Sequence, residues 1–161
     1  MTKGYRSNVG MMIINKEKKV LMCTRIHSEG QTYRLQMPQG GIDKGETPTQ
    51  AVYREMWEEI GLKHEDVRFI AIAKKWYKYD LPEAVRRKKS IRGQRQKWFL
   101  FLMVSSDSKI NFKTDKVQEF TAFEWVDLDR VSQSVVEFKQ PVYQQVVEEF
   151  RPFVERLKTT L

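Results

Sequence analysis

Thr47 to Gly61 carries both ends of one helix, and the residues between them constrain what the rest of the chain can be. Thr47 is a good N-cap, Pro48 suits the first helical position, and Gln50 completes a capping box. Gly61 supplies the left-handed residue at the far end. A helix over Pro48–Ile60 is therefore predicted, entered from a loop marked by Gly40, Gly41 and Gly45. Val52, Met56 and Ile60 recur at spacings of four and form a stripe that can face a core. Glu55, Glu58 and Glu59 stand at i, i+3 and i+4 and share a different face. Three carboxylates this close raise one another's pKa unless cations neutralise them. Hard oxygen ligands at the mouth of a loop suit Mg²⁺ or Mn²⁺ rather than Zn²⁺. Arg54 is one candidate counter-charge, and Glu46 lies eight residues before it. A solvated acidic helix face would show the same Glu-x-x-Glu-Glu spacing, so the flanking residues have to decide.

The rest of the chain reads as a mixed α/β domain over residues 1–161. Val9–Asn15 and Val20–Thr24 flank a polar turn and read as a hairpin. Leu35–Met37 is a short extended piece, because Pro38 pushes its predecessor away from helix. Val67–Ala73, Trp98–Val104 and Phe123–Val126 are further strand candidates. Lys74–Lys97 is polar, basic and expected to be part loop. The apolar residues at 142, 146, 147, 150, 153, 154 and 157 have helical spacing, with a kink or break predicted at Pro152. Cys23 is the only cysteine, so no intramolecular disulfide can form, and its apolar run suits a small core residue. No stretch approaches the ~20 apolar residues of a membrane span, and Met1–Gly10 lacks a signal-peptide core. A cytoplasmic location is expected from these features together. His27 and His64 lack metal-ligand spacing and read as surface or loop residues.

The segment Gly40-GIDKG-Glu46-TPTQAVY-Arg54-Glu55-MW-Glu58-Glu59-I-Gly61-Leu62 fills every defined position of one long pattern. It resembles the box of the Nudix hydrolase family. That resemblance implies a mixed β-sheet sandwiched between α-helices, with a loop-helix-loop at the site. It implies that Glu55, Glu58 and Glu59 bind divalent metal, helped by the backbone carbonyl of Gly40. Glu46 and Arg54 would orient the catalytic helix through an ion pair. Hydrolysis of a phosphoric anhydride then follows, with Glu58 or Glu55 as general base; Glu58 is preferred here.

Beyond the box, Tyr5-Arg6, Asn8-Val9-Gly10, Gln36–Gly41, Gly93–Phe99, Glu119-Phe120, Trp125, Phe138-Lys139 and Val142-Tyr143 resemble the RNA 5′-pyrophosphohydrolase branch of that family. The branch implies Glu119 as a further acid at the metal site. It also implies Arg6, Arg25 and Lys139 as cations that meet RNA phosphates. Ser7 departs from the pattern, where relatives often carry Pro. The expected substrate is 5′-triphosphorylated RNA, cleaved to a 5′-monophosphate and pyrophosphate, which promotes decay. Dinucleoside polyphosphates such as diadenosine tetraphosphate are the alternative, since the motifs are shared. A fold used only to bind RNA or nucleotides is a third reading, and the complete acid set argues against it. A monomer is expected. The net charge of +8 suits a polyanionic partner. Lys74-Lys75-Trp76-Tyr77-Lys78-Tyr79 interleaves cations with rings, a mixture that grips single-stranded RNA, and Tyr77 is taken as its contact. A core role for Trp76 and Tyr79 fits the same letters.

Overall fold

Strand pairing begins with β1 (Tyr5–Ile14), which starts four residues before the apolar run that signals it. The computed structural model describes residues 4–26 and 35–158, so His27 lies outside the described residues. β1 pairs in parallel along its whole length with β7 (Gly93–Met103). It turns into β2 (Val20–Arg25), with Ile14 opposite Val20. β3 (Leu35–Gln36) and β8 (Phe120–Val126) both pair with β2. β4 (Gln39–Gly41) pairs with the first half of β1, setting Gly40 opposite Val9. β5 (Val67–Ile72) and β6 (Tyr77–Asp80) share β7, one on each half. The result is a mixed sheet with helices on both faces, as expected.

Period-two alternation assigns side chains to the two faces. Val9, Met11 and Ile13 of β1 and Phe99, Phe101 and Met103 of β7 pack under α1 (Pro48–Ile60). Met12, Ile14, Trp98, Leu100 and Leu102 point the other way, beneath α4 (Gln140–Arg156). Both Trp98 and Phe99 are core residues, one on each face. Fully burying an aliphatic side chain contributes about 1.5–3 kcal/mol, and Val52, Met56 and Ile60 each reach 0% exposure. Cys23 is buried there too, and burial pushes its thiol pKa up, which makes it a core filler rather than a nucleophile.

Two local expectations need correction, at β8 and at Pro152. Lys74–Lys97 is part loop as expected, and the rest of it holds β6, a single turn α2 (Glu83–Arg86) and the first residues of β7. Its cations occupy the outer positions of strands whose inner positions, Tyr77, Tyr79 and Gln96, are buried. β8 begins at Phe120 and not at Phe123. Pro152 does not break α4, which runs on to Arg156 after a short α3 (Val131–Ser134). Pro152 sits on the exposed side of the helix, where water can satisfy the carbonyl left without a donor. The face carrying Val142, Tyr143, Val146, Val147, Phe150 and Val154 stays buried through it. No helix among the described residues is long and apolar enough to cross a membrane.

Candidate active site

α1 is held at both ends by the expected caps. The Thr47 hydroxyl accepts from the Gln50 amide at 3.1 Å, and the Gln50 side chain accepts from the Thr47 amide at 3.0 Å. Gly61 takes φ 72° at the far end. With the apolar stripe fixed on the sheet, the carboxylate face turns toward β4. Glu55 is almost fully buried, and Glu58 and Glu59 are half-buried. A Cβ at Gly40 would fall onto the carboxylate carbon of Glu55. Glycine at 40 is therefore a packing requirement of this site, and it lets the Glu55 carboxylate lie against bare backbone.

Arg54 ties the loop to the helix. Its guanidinium donates to both Glu46 oxygens at 2.8 and 2.9 Å and to the Gly41 carbonyl at 2.8 Å. Nη1 also donates to Glu55 at 2.8 Å and to Glu58 at 3.0 Å. Glu46 in turn accepts from the Asp43 amide at 2.9 Å. The Arg54 hydrogen bonds, and then the Asp43 amide, hold the Glu46 carboxyl at about 2, well below the usual carboxylate range. A carboxylate whose folded pKa is depressed stabilises the fold above its unfolded pKa, about 4.3, and loses that stability as pH falls toward 2. Removing the hub leaves several carboxylates without a partner. Breaking a buried ion pair costs about 3–5 kcal/mol. Arg54 keeps 27% of its side-chain exposure, so Arg54→Ala should cost about 2–3 kcal/mol after allowance for screening. Urea unfolding at pH 7 measures this. A loss below about 0.5 kcal/mol would show that the hub is not structural.

The acids behind Arg54 repel one another. Burial, then the charges of Glu55 and Glu119, push Glu59 well above the carboxylate range. Burial also raises Glu55, against the pull of Arg54. Both shifts run upward, the direction expected where buried carboxylates crowd one another. In this arrangement no three acidic side chains converge on one point among the described residues. Arg54 holds Glu55 and Glu58, and Glu119 faces Arg25 at 3.8 Å. The donor set nonetheless fits a hard divalent ion: carboxylate oxygens, surplus negative charge, and the backbone carbonyl of Gly40 beside Glu55.

Two of the predicted cations border this cluster. The Arg6 guanidinium lies over Gly41, where a Cβ would strike it. Arg25 faces Glu119 across an exposed gap. Lys139 is only 5% exposed. Its ammonium lies 3.3 Å from the Gln36 amide oxygen and over the rings of Tyr79 and Phe138 at 5.6 and 5.9 Å. Burial, then the Arg25 charge, pull Lys139 down to about 7.

Tyr77 does not join them. It is 8% exposed, and its phenol donates to Glu149 on α4, so the expected phosphate contact is corrected. Tyr79, two positions on, is buried too, as its core reading had it. Its hydroxyl accepts from Gln39 at 3.4 Å, one residue from Gly40. Gln39 accepts from Gln96 at 3.0 Å, and Gln96 also donates to Asn8 at 2.9 Å and accepts from the Trp98 indole at 3.2 Å. Gln96 is 0% exposed. This buried amide network sets β4, and through it Gly40, against β1 and β7. Its sequence signal is a glutamine at an inward position of a strand. His64 is exposed, in a 3₁₀ turn, stacked on Tyr53 at 3.6 Å.

The family model described as the NUDIX domain matches residues 4–146. The chain belongs to the NUDIX family. Its relatives include a protein named RNA pyrophosphohydrolase from Hydrogenovibrio crunogenus, 44% identical, covering 97% of this chain and 94% of that protein. A protein of the same name from Proteus mirabilis is 42% identical over 96% of this chain and 88% of its own. Among solved structures, the E. coli dihydroneopterin triphosphate pyrophosphohydrolase superposes with a TM-score of 0.67 at 18% identity, covering 91% of this chain and 99% of that one. A C. elegans Ap4A hydrolase binary complex also gives 0.67, at 17% identity, over 93% and 99%. At that identity the structures speak for the fold alone. Nudix hydrolases generally need divalent metal ions, which matches the donor set of this Nudix chain.

Proposed function

We propose that this Nudix chain is an RNA 5′-pyrophosphohydrolase. Near-complete alignment with RNA pyrophosphohydrolases at 42–44% identity carries the reading. The cations around the carboxylates support it.

Glu55, Glu58 and Glu59, with the Gly40 carbonyl and Glu119 nearby, would hold Mg²⁺, with Mn²⁺ as a substitute. When bound, such an ion neutralises phosphate charge and makes its water more acidic. Glu58 accepts the proton of the attacking water, a role worth about 10²–10⁴-fold in general base catalysis. Arg54 keeps Glu58 and Glu55 oriented from behind. Arg6 and Arg25 meet the phosphates at the loop mouth. Lys139 and Tyr79 line the wall that continues from Gln39. Water adds to phosphorus, the anhydride bond breaks, and pyrophosphate leaves with the electron pair. The RNA keeps a 5′-monophosphate, which hastens its decay. The RNA substrate and the lone, buried Cys23 support a cytoplasmic location.

Product analysis tests the reading. RNA labelled at the γ-phosphate, incubated with the protein and Mg²⁺, should yield labelled pyrophosphate and an end open to a monophosphate-dependent exonuclease. Retention of all label on the RNA would contradict it.

A further inference from the structure

β6 and β7 bring a row of cations together on the sheet face that also carries α1. Tyr77 and Tyr79, with Gln96 and Trp98, are buried toward α4. Alternation therefore turns Trp76, Lys78, Arg95 and Lys97 to the opposite face. Phe99, two residues beyond Lys97, lies on that face beneath α1.

The row is built rather than incidental. Lys78 and Arg95 are direct partners across the antiparallel ladder. Like charges directly opposite one another destabilise a sheet. Among the described residues, Lys78, Arg95 and Lys97 have no carboxylate within ion-pair distance; the one acid in the row, Asp80, is taken by Arg92 at 3.0 Å and by Tyr5 at 2.6 Å. Aromatic rings separate the cations. Arg95 stacks over Trp76 at 4.0 Å, with Lys97 at 5.8 Å from the same ring. Lys78 and Arg92 lie 5.1 and 5.5 Å from the Tyr5 ring. Tyr5 is placed beside them because β1 pairs with β7 at Gly93. Cation–π contacts hold guanidinium and ammonium groups in place but leave the charges of Lys78, Arg95 and Lys97 unneutralised, while Arg92 keeps its Asp80 partner. A pre-ordered row of unneutralised cations interleaved with rings fits a flexible polyanion that offers phosphates and bases in turn.

We infer that the face formed by Tyr5, Trp76, Lys78, Arg95 and Lys97 binds the backbone of single-stranded RNA downstream of the 5′ end. This rests on the RNA reading of the catalytic site, and it adds a second contact surface on the β6–β7 sheet.

The test compares 5′-triphosphate RNAs of three and twelve nucleotides, using the native protein and the double variant Lys78→Glu/Arg95→Glu. KM for the long RNA should rise about tenfold in the variant, with kcat and the trinucleotide KM nearly unchanged. The slope of log KM against log salt for the long RNA should fall by about 1.4, for two lost single-strand phosphate contacts. The milder Lys78→Gln/Arg95→Gln variant, with an unchanged melting curve, should show the same length-selective rise at smaller size. An unchanged KM for both lengths overturns the inference, and is the outcome if this face binds an acidic protein instead. An equal rise for both lengths also overturns it, because the residues would then act at the 5′ end. Failure of the native protein to turn over either RNA overturns the functional reading first.

Discussion

Glu58→Gln is expected to lower kcat on 5′-triphosphate RNA by about 10²-fold or more, with little change in KM. Glu58 is half-buried and held from one side by Arg54 at 3.0 Å, which leaves the rest of its carboxylate free to accept a proton. Gln keeps the shape and the Arg54-facing oxygen but removes the basic one. Phosphate-binding cations are untouched, so ground-state affinity should survive. A fall in kcat and kcat/KM by the same factor would place the loss in the transition state alone. Steady-state kinetics at saturating Mg²⁺ measure it. Activity within a few-fold of native would take the proton-accepting role from Glu58 and give it to Glu55, which is more buried and whose pKa burial raises.

The second large effect is on stability and runs opposite to function. Lys139→Met should stabilise the protein while weakening RNA binding. Lys139 is buried, and burial pulls it from 10.5 down to about 7. The unfolded chain binds the proton up to about pH 10, whereas the fold releases it near 7. Between those values the unfolded state holds more protons, so stability rises with pH across the window. Below pH 7 the full cost of burying the charge is present. The shift corresponds to roughly 4–5 kcal/mol as an upper bound, and Met fills a similar volume without charge. Urea unfolding of Lys139→Met should therefore show a gain of about 2 kcal/mol or more near pH 6. It should also lose the upward slope between pH 7 and 10. An RNA phosphate near Lys139 favours its charged form, so RNA affinity of the native protein should fall as pH rises above 7, and that dependence should vanish in the variant. A native protein with no slope in stability from pH 7 to 10 would show that Lys139 is well solvated.

How much of this was legible in the sequence depended on the range of each interaction. α1 was readable to the residue, because its caps and stripes lie within fourteen positions of one another. The Glu46–Arg54 pair followed from the resemblance, but the reach of Arg54 to Glu55, Glu58 and the Gly41 carbonyl needed the loop in place. The basic stretch hid two strand segments, because their partners are distant: Tyr77 meets Gln96, and Tyr5 meets Gly93. Composition there reports the exposed side of a strand and says little about its inner side. Tyr77 and Tyr79 show the same limit at the site. They share a face, and only their positions along β6 separate Glu149 under one from Gln39 beside the other. Pro152 was read by its local penalty, which an exposed helix side relieves.

Action on the triphosphate end of RNA is the property on which the other roles depend. It is tested most directly by kcat/KM for 5′-triphosphate RNA against kcat/KM for diadenosine tetraphosphate, measured with the same protein and Mg²⁺. A preference for RNA of about 10²-fold is expected, near 2.7 kcal/mol of differential transition-state binding. An equal or greater value for the dinucleotide would contradict it.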